Sequence, residues 1–139
     1  MLWAEAHSTA EDTAPAVAEA CTRLRVAMGE GPIDLVLAFF NARHVPAAED
    51  IAATVKAALS PGCFAAASGV GIVTTEHEIE FGPALVLLGA RLPGVEIRPF
   101  VMASSAWGEA MTDAQEFARH TPGVEGAELV IVLADPFTL

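Results

Sequence analysis

The residues of this 139-residue chain that could carry chemistry fall in a few places. Gly69-Val70-Gly71 follows an apolar run, where glycine-rich loops often cradle phosphates. A dinucleotide fingerprint needs a third glycine three positions on, opening a helix. That position is Thr74, and Ile72-Val73-Thr74-Thr75 is β-branched around it, which disfavours a helix. No Gly-Lys-Ser/Thr occurs in the chain. The glycines therefore read as a tight backbone turn or a place of close packing. Ser68 adjoins them, but a nucleophile elbow would need glycines at 66 and 70, where Ala66 and Val70 stand.

Cys63 is a second candidate nucleophile. A thiol is activated by a cation or a helix N-terminus, and the neighbours here are Phe64 and alanines, so it reads as a small core residue. Cys21 reads the same way. Neither belongs to a C-x-x-C or to a Cys/His cluster. The histidines, His7, His44, His77 and His120, form no H-x-H or H-x-x-x-H pair. His77 stands between Glu76 and Glu78, but alternation along an extended segment turns it away from both. That stretch reads as a solvated acidic hairpin, and neither a metal nor a cofactor is expected. Asn41, Arg43 and His44 follow the end of an apolar run, where open α/β sheets bind ligands. Trp3 and Trp107 suit core or pocket wall equally.

The elements that must position these residues follow from periodicity. Residues 2–7 alternate loosely and predict a short strand. Val17, Ala20, Cys21, Leu24 and Met28 recur at helical spacing, and Gly29 and Gly31 end the run. Residues 33–40, IDLVLAFF, predict a strand buried on both faces. Residues 47–59 put Ile51, Ala52, Val55, Ala58 and Leu59 on one helical face, stopped by Ser60-Pro61-Gly62. A further apolar run covers 63–67. Segments 84–92 and 95–101 read as strands joined by Pro93-Gly94 in a tight reversal. Residues 113–120 predict a short helix capped by Asp113 or Thr112, and 129–134 a last buried strand closed by Asp135-Pro136. The order is β-α-β-α, a β-meander, then α-β: an α/β fold with helices packed on a mixed sheet.

Composition bounds the function. At 53% hydrophobic and 18% charged residues the chain can fill a core, which excludes intrinsic disorder. Lys and Arg number 7 against 18 Asp and Glu, a net charge of -11 that argues against nucleic acid and anionic membranes as partners. Two cysteines make no disulfide framework, and the first residues have neither a basic n-region nor an apolar h-region. The expectation is a cytoplasmic domain in a reducing compartment.

The succession of segments resembles the N-terminal part of the FIST family (FIST N domain). The residues that carry the likeness are MLWAEAHST at 1–9, AVAEA at 16–20, PIDLVLAFF at 32–40, SGVGIV at 68–73, EIEFGPAL at 78–85, LPGV at 92–95 and LADPF at 133–137. Where the family usually carries Gly-Cys-(Ser/Thr)-Ala, this chain has Ala66-Ala67-Ser68-Gly69, and Gly62-Cys63 lies four positions earlier. The resemblance implies one FIST-N-like domain over 1–139 that continues into a C-terminal remainder. It implies a non-enzymatic sensory domain of bacterial signal transduction that binds an amino acid or derivative and passes occupancy to a signalling domain or C-terminal FIST domain. The expected ligand contacts are Asn41, Arg43 and His44 with Ser68, Gly69 and Gly71. Two alternatives accompany this reading: a hydrolase or transferase using Cys63 or Ser68, and a non-catalytic interaction module with an exposed sheet edge.

Overall fold

The computed structural model describes residues 1–134. The chain divides into two compact units, Met1–Val95 and Glu96–Leu139.

The first unit is a mixed sheet with two helices on it. Its elements are β1 (Leu2–Ser8), α1 (Thr13–Met28), β2 (Leu35–Asn41), α2 (Ala48–Leu59), β3 (Cys63–Gly69), β4 (Ile72–Val73), β5 (Glu78–Ile79) and β6 (Leu85–Arg91). The sheet order is β1-β6-β2-β3. β6 lies antiparallel to both β1 and β2, and β3 is parallel to β2. β1 and β2 therefore run the same way with β6 between them. The crossovers β1-α1-β2 and β2-α2-β3 advance in one direction across the sheet. Right-handed connections then put both helices on one face.

That face is the core. α1 buries Ala16, Val17, Ala20, Cys21, Leu24 and Met28, the stripe its spacing predicts. They pack with Val36, Ala38 and Phe40 of β2, Ile51, Val55 and Leu59 of α2, and Leu85 and Leu87 of β6. β6 admits α1 closely at Gly89, where a Cβ would lie 3.1 Å from both methyl carbons of Leu24. Gly29, at φ +65°, ends α1 and donates to the Arg25 carbonyl at 3.0 Å. Arg25 in turn donates to the Leu59 carbonyl at 2.8 Å, satisfying the end of α2.

The opposite face carries the small β4-β5 hairpin. Ile72 pairs with Ile79 and is buried with Ala84 and Val86. The acidic stretch is its solvated tip, as expected: Thr74 Oγ1 accepts from the backbone of Glu76 at 3.2 Å and of His77 at 2.9 Å.

The second unit holds two seven-residue helices, α3 (Ser104–Ala110) and α4 (Ala114–His120). Asp113 caps α4 as predicted, accepting from Gln115 at 2.8 Å and Glu116 at 3.0 Å. Helix α3 has no sequence signal: it buries only Ala110, so no periodicity marks it. Two predicted strands are corrected here. Residues 95–101 do not extend from the Pro93-Gly94 turn as a hairpin partner, although the turn forms, with Gly94 at φ +80° and Val95 N–H donating to the Leu92 carbonyl. Residues 129–134 are neither strand nor buried. Both runs are apolar, but a strand needs a ladder partner as well as oily side chains, and none is paired with them among the described residues. The Asp135-Pro136 closure lies outside those residues.

Candidate functional site

β2 ends at Asn41 in the middle of the sheet, and the chain turns there into the loop leading to α2. The pairing of β2 with β6 brings the 80–83 segment alongside. The Asn41 backbone N–H donates to the Ala84 carbonyl at 3.1 Å, and its side-chain Nδ2 donates to the Gly82 carbonyl. The side chain is 6% exposed, and Oδ1 has no hydrogen-bond partner among the described residues.

A surface cavity of about 730 Å³ opens at this point. Asn41 and Arg43 line it together with Glu80, Phe81, Pro83, Glu11 and Val70. Phe81 and Val70 are almost fully exposed. Arg43 reaches Glu11, donating from Nε to its carbonyl at 3.2 Å and approaching its carboxylate at 3.5 Å. The wall thus offers a half-exposed guanidinium, two carboxylates and an apolar surface, and Asn41, which also lines it, keeps an enclosed side-chain oxygen with no donor among the described residues. An unpaired buried acceptor is costly to a fold.

The expected site residues separate into three places. Asn41 and Arg43 line the large cavity. Ser68, Gly69 and Gly71 line a second, smaller one of about 210 Å³, with Phe39, Ile72 and Val86. His44 lines neither: it is fully buried, and its Nδ1 lies 3.0 Å from Thr13 Oγ1. Desolvation, then the nearby Arg43 charge, lowers its pKa. Through Thr13 it ties the loop to the start of α1. Gly69 meets the close-packing expectation, since a Cβ there would stand 3.2 Å from the Gly71 carbonyl oxygen. Glu11, Phe81 and Pro83 carried no sequence signal, because a fold contact brings them to Asn41 from far along the chain.

The candidate nucleophiles stand at opposite ends of β3, Cys63 at its start and Ser68 near its close. Among the described residues neither has a hydrogen bond to a histidine or carboxylate. In the second unit, donor atoms of Glu109, Glu116 and His120 lie within 4.8 Å of one another. Arg119 already holds the Glu116 carboxylate, competing for the oxygen a cation would take.

No described helix is long and apolar enough to cross a membrane. No family model matches the chain, and no solved structure matches it. It is similar to two uncharacterized proteins of Mycobacterium tuberculosis, Rv0628c of strain H37Rv and MT0656 of strain CDC 1551. Each is 28% identical over 131 residues, covering 94% of this chain and 33% of the relative. The chain thus spans about a third of the length of the curated relatives it matches.

Proposed function

We propose that the first unit is a FIST-like sensory module that binds a small ligand, an amino acid or derivative, in the cavity beside Asn41. What supports the reading is that Asn41, whose side-chain oxygen is enclosed and has no partner among the described residues, lines the cavity together with Arg43. A ligand amino or amide N–H would complete that oxygen if the side chain turned toward the cavity. A ligand carboxylate would go to Arg43, and Glu11 and Glu80 would favour a positive amine between them.

This arrangement also offers a route for the signal. Arg43 holds Glu11, which stands just before α1. A carboxylate entering the cavity competes for that guanidinium and loosens the tie to the segment leading into α1. The ligand would then favour one of two states of the Arg43–Glu11 contact, and a downstream signalling domain would read the difference.

The test is a thermal-shift series with amino acids and small carboxylates at about millimolar concentration, on the natural chain and on Arg43→Ala. Binding to the folded state raises the melting temperature by mass action. Stabilisation of the natural chain that Arg43→Ala weakens supports the reading. No response to any of these compounds defeats it.

A further inference from the structure

Another cluster of side chains lies away from the cavity, on the sheet face that carries the β4-β5 hairpin. Ala4, Ala6 and Ser8 of β1 face α1: the two alanines pack in the core, and Ser8 Oγ donates to the Glu19 carboxylate. Alternation therefore puts Glu5 and His7 together on the opposite face. The loop between β4 and β5 meets them there. The Thr75 N–H donates to Glu5 Oε2 at 2.6 Å, a contact between residues 70 apart in the chain. The His77 ring centre stands 6.1 Å from that of His7, with the two planes at 89°.

These bonds determine what His7 can do. Burial would raise the Glu5 pKa, but the bonds from Thr75 and His7 outweigh it and hold the carboxyl below its ordinary 4.5. An ionised carboxylate only accepts, so His7 donates to it from Nδ1, which lies 3.0 Å from Glu5 Oε1. Nε2 is then left with the bare lone pair. A carboxylate behind Nδ1 is the arrangement that orients a metal-binding histidine and raises its basicity. His77 makes its hydrogen bonds among the described residues through its backbone, to Thr74, which leaves the ring unengaged. The Glu76 carboxylate lies 3.8 Å from His77 Nε2. The chain bends at 75–76, so strand alternation does not part these two neighbours.

We propose that His7 Nε2, a ring nitrogen of His77 and the Glu76 carboxylate form a site for a divalent transition-metal cation of the zinc class. Two imidazoles and a carboxylate suit zinc, with a fourth position left for water. Two rings on one tetrahedral zinc, with Zn–N of about 2.0–2.1 Å, hold their centres roughly 5 Å apart. Rotation of the exposed His77 side chain closes the observed 6.1 Å to that separation. The net charge of -11 favours a cation over an anion here. The bound ion straps the hairpin tip to β1, beside the contact that Thr75 makes with Glu5. The site shares no residue with the cavity and does not depend on a ligand there.

Calorimetric titration with zinc chloride tests this, on the natural chain and on His77→Ala, His7→Gln and Glu116→Gln. His77→Ala removes an exposed ring that holds no hydrogen bond, so the fold is kept; His7→Gln retains a side-chain donor for Glu5. Glu116→Gln alters the acidic cluster of the second unit and is the control. The expected result is zinc binding with a dissociation constant on the order of micromolar. Either histidine variant should weaken it by about tenfold or more, and Glu116→Gln should leave it unchanged. Zinc should also raise the melting temperature of the natural chain and of Glu116→Gln, but not of His77→Ala. A natural chain that binds no zinc below about millimolar concentration overturns the proposal. So does binding that survives the loss of either histidine, or that Glu116→Gln weakens as much as they do.

Discussion

Thr13 Oγ1 lies 3.0 Å from His44 Nδ1, pinning the first residue of α1 to the loop that leaves β2. The imidazole is completely enclosed, and its Nε2 meets no partner among the described residues. A charged ring there would lack both water and a counter-ion, so burial, reinforced by the Arg43 charge, keeps its pKa below the ordinary 6.5.

The consequence is an acid-sensitive joint. With the folded pKa depressed, the unfolded chain binds the proton more readily, and stability rises with pH across that gap. The contribution is full above about 6.5, the ordinary value, and is lost as pH falls through the lowered one. Urea midpoints measured from about pH 8 to pH 5 should decline over that range. In His44→Gln, which keeps a polar group but does not titrate, the decline should be smaller. Equal slopes for the two proteins would mean that other groups govern acid sensitivity.

The sequence made the α1 stripe readable because each of Val17, Ala20, Cys21, Leu24 and Met28 meets the core through a local period. The same holds for β2, whose central place leaves it oily on both faces. Asn41 and Arg43 were readable from position alone, one at the end of a buried strand and the other two residues beyond. The rest of the cavity was not. Phe81 and Pro83 reach Asn41 only through β2-β6 pairing, a non-local choice that no local pattern encodes. Residues 129–134 show the converse error. Their composition declares a strand, but a ladder partner is a property of the fold, and none is present among the described residues.

Asn41 itself predicts a cost and a loss. Asn41→Ala removes the donor to the Gly82 carbonyl together with the enclosed oxygen. Because Gly82 is exposed, water can satisfy the freed carbonyl, and the loss in stability should be modest, about 1 kcal/mol by chemical denaturation. Any thermal response to small carboxylates or amino acids should fall much further than that. A variant that still responds fully would move the ligand away from this oxygen.

Gly89→Ala sets β-propensity against packing. Alanine relieves a strand of glycine's entropy cost, worth about 0.5–1 kcal/mol. Its Cβ, however, would stand 3.1 Å from both Leu24 methyl carbons, and Leu24 is fully buried. Crowding in a closed core costs about 1–3 kcal/mol, so the net effect should be destabilising. Leu24→Ala in the same chain should return part of the loss, giving a double-mutant coupling of about 1 kcal/mol. Additive effects would show that α1 moves to make room.

The two cysteines should separate by reactivity. Burial pushes the Cys21 thiol up to about 11, and the residue sits inside the α1 stripe. At neutral pH it is a closed, protonated thiol that reacts only when the core opens. Cys63 is half-buried at the start of β3 and can be reached in the folded chain. A brief pulse of iodoacetamide followed by peptide mass spectrometry should modify Cys63 alone in buffer and both residues in denaturant. The same experiment bears on the hydrolase alternative. A catalytic Cys63 would react faster folded than unfolded, because activation depends on the folded surroundings. A folded rate at or below the denatured rate is the outcome expected of a strand residue with no base beside it.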